Sequence, residues 1–531
     1  MTGGLIQLVT RGSQDLFITN DPQITFFKVV YRRHTNFSIE PIPQFFTHTP
    51  DFGRRVTAIL SRSGDLIRKI HLVAVLPKIP QFRNANNEID EISKFSWVRR
   101  VGYALIKTVE VEIGDSIIDR QYGDWLNIWN ELTVPNNKEI SNMLGDVREL
   151  TEYTNGKLQY KLFIPLQFWF NRIAGLALPS VSLQYDHIKI NIELNNFQNL
   201  YNVAPTHSIN IDNDLVNFEQ FEFIEQNVDG VISQARFIHF DVISRTMYIS
   251  RVTDQTIQSL TVTDPTIIQT EQQQDEILFA KDEDDNLINE KYLVKGLTSQ
   301  FEIMPRINSI ERTFRNRTID FSTLFLKEAF LLVEYIFLDS EERIRFAQTK
   351  HEYLIEQVIF DGEKTINGIN QSFQIGFSQV CKELIWVTQL SLSQNTRNND
   401  HFNYTDTLIR DHNDTLIGNN LITNETMLFN GQERINTRDY TYFNWIQPYQ
   451  NHKNSPNEGI NMYSFCLHPG KHQPSGVANL NKIDNILLKL SVQPQIDFKN
   501  TAKLRIYAIV YNVFRIVNGI SGLVFAEDVQ I

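Results

Sequence analysis

The chain has 531 residues, of which 42% are hydrophobic and 21% are charged. That length exceeds one ordinary domain, so we expect two or three soluble globular domains. The net charge of −12 argues against a general nucleic-acid-binding protein, which would carry a basic surface. Two cysteines, Cys381 and Cys466, are too few for a disulfide framework and indicate a reducing compartment. We expect two free buried thiols; one bridge between them is the alternative.

The N-terminal segment lacks the long apolar core and the cleavage pattern of a signal peptide. We expect residues 1–24 to form an N-terminal arm. The next stretch, ITFFKVVY at 24–31, is β-branched and aromatic and predicts a strand. Basic side chains cluster there, namely Lys28, Arg32, Arg33 and His34. We interpret them as part of a strand; a basic patch facing an acidic partner or a membrane is the alternative.

Strand signals dominate the rest of the chain. DHIKINIEL at 186–194 alternates apolar and polar residues, the period of a half-buried strand. LIRKIHLVAVL at 66–76, LIKTVEVEI at 105–113 and ELIWVTQLSL at 383–392 are rich in β-branched and aromatic residues. The late apolar stretch at 504–525 is interrupted by Arg and Asn residues and is also predicted as strand, not as a membrane span. The prediction is an all-β protein.

Helix signals are few. One surrounds QYGDWLNIWNEL at 121–132. The other is DSEERIR at 339–345, where Asp339 and Glu342 form a capping-box pattern.

The strands form an ordered internal repeat. The segment at 64–76 resembles 382–392, the one at 186–194 resembles 484–492, and LLVEYIFLD at 331–339 resembles RIYAIVYNV at 505–513. The pairs keep their order in both halves, which predicts two copies of one domain. Two antiparallel β-sandwiches of about eight strands each, in tandem, fit this count, with jelly rolls the leading topology. A pair of immunoglobulin-like sandwiches and a propeller are the alternatives.

The repeat also predicts the domain boundaries. We expect a first jelly roll at 25–338, a charged linker helix at 339–350 and a second jelly roll at 351–531. The first copy carries an insertion of roughly 120 residues within 199–327, expected to be an exposed excursion because residues 254–290 are strongly acidic. A second loop insertion is expected at about 394–425.

Catalytic and metal-binding motifs give no convincing site. HEYLI at 351–355 begins like a zinc-protease motif, but Ile355 stands where the second histidine ligand must be. HPGKH supplies His468 and His472, with His452 nearby in sequence, yet Pro469 and Gly470 indicate a turn. The acidic run at 282–285 lacks the ligand spacing of a calcium loop. We therefore predict no enzyme activity, no cofactor and no metal site.

Asn-x-Ser/Thr sequons occur at six positions. Three of them, Asn403, Asn413 and Asn424, lie in a polar stretch that we predict to be one exposed loop, and they are the candidate glycosylation sites. The other sequons are at Asn36, Asn316 and Asn370. Because glycosylation at sequons requires a secretory route, composition alone explains most of them.

Several long segments resemble one protein family. They include QLVTRGSQDLFITNDPQITFFKVVYRRHTNFSIEPI from residue 7, IDRQYGDWLNIWNELT from 118, IPLQFWFNRIAGLALPSVSLQYDHIKINIEL from 164, YIFLDSEERIRFAQTKHEYLIEQV from 335, FNGQERINTRDYTYFNWIQPYQNH from 429 and GINMYSFCLHPGKHQPSGVANLNKID from 459. They resemble the major capsid proteins of nucleocytoplasmic large DNA viruses. The similarity runs from residue 7 to about 525, apart from 199–327 and 394–425.

The resemblance implies a double jelly roll, with both sandwiches standing roughly perpendicular to the capsid surface. Three copies would form a homotrimer of pseudo-hexagonal outline, and such capsomers would tile an icosahedral shell. The implied partners are neighbouring trimers, penton and minor capsid proteins and an inner viral membrane, without sequence-specific nucleic-acid contacts. The implied location is the virion, after synthesis and assembly in the host cytoplasm. Insertions 199–327 and 394–425 would project outward as towers.

Two other functions are compatible with the same fold. One is a double jelly-roll scaffold that shapes a viral membrane during assembly, as in poxviruses. The other is a carbohydrate-binding module. Glycan binding by the isolated protein would distinguish the second from a capsid protein.

Overall fold

The computed structural model describes residues 2–84, 86–134, 140–211, 213, 215–228, 231–253, 292–312, 319–396, 398–410 and 416–525. Within these ranges antiparallel strands predominate. In chain order the strands are β1 Phe37–Gln44, β2 Arg55–Ile59, β3 Leu66–Leu76, β4 Lys94–Trp97, β5 Ile106–Ile113, β6 Ser116–Tyr122, β7 Tyr160–Pro165, β8 Ile188–Leu194, β9 Tyr201–Ala204, β10 His207–Ile211, β11 Phe223–Val228, β12 Val231–Asp241, β13 Thr246–Arg251, β14 Val294–Gly296, β15 Glu302–Ile303, β16 Pro305–Arg312, β17 Glu328–Leu338, β18 His351–Ile366, β19 Asn370–Gln374, β20 Val380–Leu390, β21 Ile422–Phe429, β22 Gln432–Asp439, β23 Ile460–Ser464, β24 Ala478–Asn479, β25 Ile486–Val492, β26 Ala502–Val517 and β27 Ile520–Leu523.

The α-helices of the described residues are short. They are α1 Gly3–Val9, α2 Ser13–Thr19, α3 Val101–Leu105, α4 Gly123–Thr133, α5 Ser141–Leu144, α6 Arg148–Thr151, α7 Trp169–Arg172, α8 Ser340–Gln348 and α9 Gln447–Asn451, with a π-helical turn at Tyr442–Ile446 before α9. Turns of 3-10 helix occupy Ala174–Leu176, Phe197–Asn199, Phe321–Thr323 and Leu480–Lys482. Both predicted helices are present, as α4 and α8.

Two eight-stranded sandwiches of the same topology form the body of the chain. The first has sheets in the order β1-β17-β3-β7 and β2-β8-β5-β6. The second has sheets β18-β26-β20-β23 and β19-β25-β21-β22, and in the first of these the short strand β24 pairs with β20 and β27 pairs with β26. The predicted double jelly roll is confirmed, because both copies have this same arrangement.

The internal repeat corresponds to equivalent positions in the two sandwiches. β3 and β20 are third in their sheets, whereas β17 and β26 are second. β8 and β25 are likewise second in the opposing sheets. Buried and more exposed residues largely alternate along β8, β17 and β25, because each sheet buries one face against its partner sheet. β20 is instead buried on both faces.

Two hairpins in the second copy turn on Asn-Gly pairs. Asn430 and Gly431 connect β21 to β22, with φ values of 48° and 80°. Asn518 and Gly519 connect β26 to β27, with φ values of 52° and 83°. Positive φ at both central residues is the requirement of a two-residue hairpin turn whose twist matches its strands.

The described part of the first insertion is a folded β domain, whereas the exposed excursion was expected from its acidic residues. A sheet in the order β15-β14-β11-β12-β13-β10-β16 is formed by strands that lie between His207 and Arg312. Its own apolar core is separate from those of the two sandwiches and contains Ile209, Phe237, Met247 and Ile249 among others. Residues 254–291, which include the acidic run, lie outside the described residues.

The stretch at 394–425 is not one exposed loop, and this prediction was wrong. Its Asn399 side chain is 2% exposed, and the amide nitrogen donates to the carbonyls of Gln198 and Tyr201 at 2.9 and 2.8 Å. Asn398 donates to Val252 O at 3.0 Å, in the inserted domain. Because these polar side chains bond backbone carbonyls, the stretch packs between elements of the first half of the chain.

The predicted strand at 24–31 is absent, and this prediction was also wrong. The structure has no regular secondary structure there, and the first strand begins at Phe37. β-branched and aromatic composition favours a strand only where a neighbouring strand and a buried face exist. Neither is available to this segment, whose side chains are exposed.

Candidate functional site

The joint between the two sandwiches is the most extensive functional feature that the fold builds. Trp125, Ile128, Trp129 and Leu132 of α4 form one apolar face, and all are buried. That face packs on the outer side of the second copy's β18-β26-β20-β23 sheet, against Val358, Ile385, Val387, Ile460, Met462, Tyr507 and Ile509. The sheet is therefore covered on both faces, which fixes the second sandwich against the first.

Polar side chains cross the same joint. Asp124, at the start of α4, lies 3.2 Å from Arg505 and accepts a hydrogen bond of 2.5 Å from the Tyr507 hydroxyl. Arg505 also pairs with Glu363 at 3.0 Å. Burial and the neighbouring Asp124 carboxylate raise the pKa of Tyr507 well above its usual value. The phenol therefore stays protonated and remains a donor to Asp124.

A second polar contact joins β6 to β18. Asp119 accepts from the Val358 backbone N–H at 3.0 Å, and Gln121 donates to the other carboxylate oxygen at 3.0 Å. Burial raises the pKa of Asp119 to about 7. The Asp119 carboxyl consequently titrates near neutral pH.

The linker helix α8 packs against the first sandwich. Asp339 caps it by accepting from the Ser340 N–H at 2.7 Å, rather than through the predicted box with Glu342. Arg343 pairs with Asp65 at 2.9 Å. Phe346 contacts a small apolar cluster of Leu66, Ala177, Ile336 and Leu338. The helix is thus docked on one sandwich, which limits how far the joint can bend.

The three histidines considered as metal ligands converge on one cavity. His452, His468 and His472 all line a space of about 480 Å³ beside the joint. The cavity is also lined by Arg172 and Lys382. No group of three or more His, Cys, Asp or Glu side chains within the described ranges is arranged to hold a metal ion. The basic lining indicates an anion rather than a metal.

The other motif residues have structural roles. His351, which opens HEYLI, begins β18, and its Nε2 lies 2.7 Å from Phe346 O. Cys381 and Cys466 are free and buried, as expected, and burial raises the pKa of the Cys381 thiol well above its usual value. A buried thiol with a raised pKa is inert, so Cys381 is not a reactive group.

The N-terminal arm exposes apolar side chains. Helices α1 and α2 bury no residue. Phe17, Phe26 and Phe27 are 94%, 90% and 99% exposed. The basic residues Lys28, Arg32, Arg33 and His34 are exposed beside them. An apolar and basic segment with no packing of its own has the composition of a contact for another component.

The candidate glycosylation residues differ in exposure. Asn403 is fully buried, and its amide nitrogen donates to Asp400 and Thr407 at 2.9 Å each, which leaves no room for a glycan in the folded chain. Asn413 lies outside the described residues. Asn424 is exposed on β21 and remains a prediction. Among the other sequons, Asn36 and Asn370 are exposed, and Asn316 is outside the described ranges.

Sequence reasoning missed the charged residues of the joint. Asp119, Arg172, Glu356 and Arg505 are far apart in the chain, and no local motif links them. One signal in the sequence did indicate that a second element covers this sheet. In β20 both Ile385 and its neighbours are apolar, and a continuous apolar run indicates a strand that is buried on two faces.

Comparisons with known proteins agree with this architecture. A family model described as major capsid protein N-terminus matches residues 25–232, and one described as large eukaryotic DNA virus major capsid protein matches residues 342–522. Probable capsid protein 4 of Acanthamoeba polyphaga mimivirus is 38% identical over 99% of both chains. The major capsid protein of Phaeocystis pouchetii virus is 32% identical, over 99% of this chain and 100% of its own.

Solved structures share the fold. The quasi-atomic model of the PBCV-1 virus capsid matches with a TM-score of 0.60 and 24% identity, over 95% of this chain and 100% of that one. The Faustovirus major capsid protein matches with a TM-score of 0.63 and 12% identity, over 96% and 95% of the two chains. No helix among the described residues is long and apolar enough to cross a membrane.

Proposed function

The chain belongs to the major capsid proteins of large eukaryotic DNA viruses, and we propose that three copies of it form a pseudo-hexagonal capsomer. It is a structural protein of the viral capsid and is located in the virion. Its family is structural and not enzymatic. The relatives that match its whole length are named capsid proteins, so the membrane-shaping scaffold and the carbohydrate-binding module are not favoured.

One observation supports the capsomer most directly. The two sandwiches have the same strand order, and the joint through α4 holds them in one fixed relation. A rigid chain with two similar sides needs a threefold axis to present six similar sides. Six sides around one axis pack hexagonally, so one kind of building block tiles most of a shell.

The N-terminal arm supports a second part of the proposal. As a capsid protein the chain associates with other capsid components, and we assign that contact to the arm together with the residues that follow it up to β1, that is, to residues 2–36. Its exposed aromatic rings would be covered by a neighbouring trimer, a penton or minor capsid protein, or an inner viral membrane. Assembly in the host cytoplasm is compatible with two free thiols. The 199–327 insertion, with its own core, is the tower candidate.

The absolute mass of the purified full chain tests the capsomer. Size-exclusion chromatography with light scattering should give three times 61.9 kDa, about 186 kDa. A stable trimer should bury well over the roughly 1,600 Å² of a standard interface, so it should persist on dilution. A monomer that stays monomeric on concentration, both alone and with the other capsid components present, would rule out the trimer.

A further inference from the structure

The cavity beside the joint is lined by more cationic than anionic side chains. Its lining includes four cationic side chains and one carboxylate: Arg172, Lys382, Lys453, Lys471 and Glu356. The whole chain carries a net charge of −12, so this local excess is not an effect of composition. A concave space lined by one sign of charge concentrates ions of the opposite sign.

The deepest charges share a single counter-ion. Arg172 lies 3.1 Å from one oxygen of Glu356, and Lys382 donates to the other. The side chains of Lys382 and Glu356 are 1% and 9% exposed, and that of Arg172 is 14% exposed. Two further carboxyl groups lie near this group: Asp119 is within electrostatic reach of Arg172, and Glu383 pairs with His452. Neither lines the cavity, so Glu356 is the one carboxylate on a wall that also presents four cationic side chains.

Further polar groups reach the same space without partners. His452 has a side chain that is 1% exposed; its Nε2 lies 2.8 Å from Glu383, and its Nδ1 has no hydrogen-bond partner in the described part of the chain. The Nδ1 of His472 is likewise buried and unpartnered there. Both side chains line the cavity. Buried imidazole nitrogens rarely stay unsatisfied, so a ligand or water is expected to meet them.

The geometry and size of the cavity restrict the chemical class of ligand that it can bind. The guanidinium of Arg172 lies 4.9 Å above the Trp129 ring, which fixes its plane. A fixed guanidinium fork suits a phosphate or a carboxylate, and several converging cations suit a multiply charged phosphate. A space of about 480 Å³ is larger than one phosphate needs and lies in the usual range for a small-molecule site.

We propose that the cavity bounded by Arg172, Lys382, His452 and His472 binds a multiply charged phosphate anion. Two sources have this chemistry, a free polyphosphate-type molecule and a phosphorylated lipid headgroup. The bound anion would bridge both sandwiches, because Arg172 belongs to the first copy and Lys382 to the second. The inference does not depend on trimer formation.

Calorimetric titration of the full chain with sodium tripolyphosphate tests this site. We expect saturable binding of one anion per chain in a chloride buffer of matched ionic strength. Lys453 and Lys471 are exposed at the rim, so the double variant K453A/K471A should fold normally and bind about tenfold more weakly. Lys499→Ala removes an exposed lysine away from the cavity and should bind like the original chain.

Two results would overturn the proposal. One is the absence of saturable heat with tripolyphosphate together with no binding to vesicles. The other is an equal loss of affinity in K499A, which would indicate a general charge effect. Flotation with phosphatidylcholine vesicles, with and without phosphatidylinositol bisphosphate, separates the sources. Tripolyphosphate binding alone supports a free phosphate, whereas flotation that K453A/K471A abolishes supports a headgroup.

Discussion

Arg505 in β26 lies 3.2 Å from Asp124 at the start of α4, and the two residues are separated by 381 positions in sequence. Their side chains are 14% and 19% exposed. This ion pair, with the Tyr507 hydroxyl bonded to the same carboxylate, links the two copies of the jelly roll. A capsomer needs a fixed relation between the two copies. The contacts of Asp124 in α4 with Arg505 and Tyr507 in β26 help to provide it.

Asp124→Asn should loosen this joint. It removes the charge that Arg505 and Tyr507 contact, while Arg505 keeps Glu363. Because one partner remains, we expect a loss of about 1–3 kcal/mol in the free energy of unfolding. Urea unfolding followed by tryptophan fluorescence measures it, since Trp125 and Trp129 lie at the joint.

Asp115→Asn is the matched control. Asp115 pairs with Lys189 at 2.8 Å, but its side chain is 90% exposed, so the unfolding midpoint should not move. Equal midpoints for D124N and the unmodified chain would show that the Asp124–Arg505 pair does not hold the sandwiches together.

Trp125→Ala should be more damaging. Trp125 of α4 is 1% exposed and packs on the outer face of the β18-β26-β20-β23 sheet, with its ring 5.4 Å from the Tyr507 ring. Truncating a buried tryptophan leaves a cavity and costs about 3–5 kcal/mol. Scanning calorimetry should show a lower midpoint and two separated transitions, because the sandwiches lose their common core.

Trp445→Ala supplies the comparison. Trp445 is 50% exposed, so its loss should cost less than about 1 kcal/mol and leave the transition shape unchanged. If W125A and W445A melted alike, the α4 contact would not be a structural core.

The sequence predicted those parts of the fold whose signal is local. Alternation along β8 and β25, and along β17 and β26, reflects one buried face per strand, and this periodicity is visible without knowing the partner strand. The repeat then predicted two copies of one sandwich. Helix α4 was also predicted, although nothing in its sequence identified what its tryptophans pack against.

The wrong predictions failed because they depended on partners distant in sequence. Residues 24–31 have strand composition, but no strand of the described ranges pairs with them. The stretch at 394–425 has loop composition, yet Asn398 and Asn399 donate to backbone carbonyls of other segments, and Asn399 is buried. The charge pairs across the joint also link residues that are distant in sequence. Nothing in the sequence around Arg172 or Glu356 therefore identifies them as partners.

Asp119 should make stability depend on pH. Its pKa is about 7 in the folded chain, against roughly 4 in an unfolded chain. The folded state therefore holds an extra proton between these values, so stability should fall as pH rises from about 4 to 7. Above pH 7 the full penalty of roughly 4 kcal/mol applies. Asp119→Asn should lack this decline when urea midpoints are compared from pH 4.5 to 7.5.

Glu112→Gln should behave in the opposite way. The hydrogen bond from Lys189 lowers the pKa of Glu112, so its contribution is present above the unfolded value and is lost as pH falls. The difference between the original chain and E112Q should therefore grow with pH.

The Asp119 prediction has its own contradicting outcome. Parallel pH profiles for D119N and the unmodified chain would contradict a raised pKa at Asp119.

The N-terminal arm should be covered in the particle and open in the isolated protein. Phe26 and Phe27 are 90% and 99% exposed, and chymotrypsin cleaves after exposed aromatic residues, so the purified chain should be cut within 17–31. Assembly would bury these rings because exposed apolar surface favours contact. Limited proteolysis of intact particles, read by mass spectrometry, should leave the same bonds uncut.

The double variant F26S/F27S separates this role from folding. Both rings are almost fully exposed against the described part of the chain, so the melting temperature of the variant should match that of the original protein. Its incorporation into particles should nevertheless fall when it competes with the unmodified chain. Cleavage of the arm at equal rates in free protein and in particles, with normal incorporation of F26S/F27S, would mean that another surface contacts the remaining capsid components.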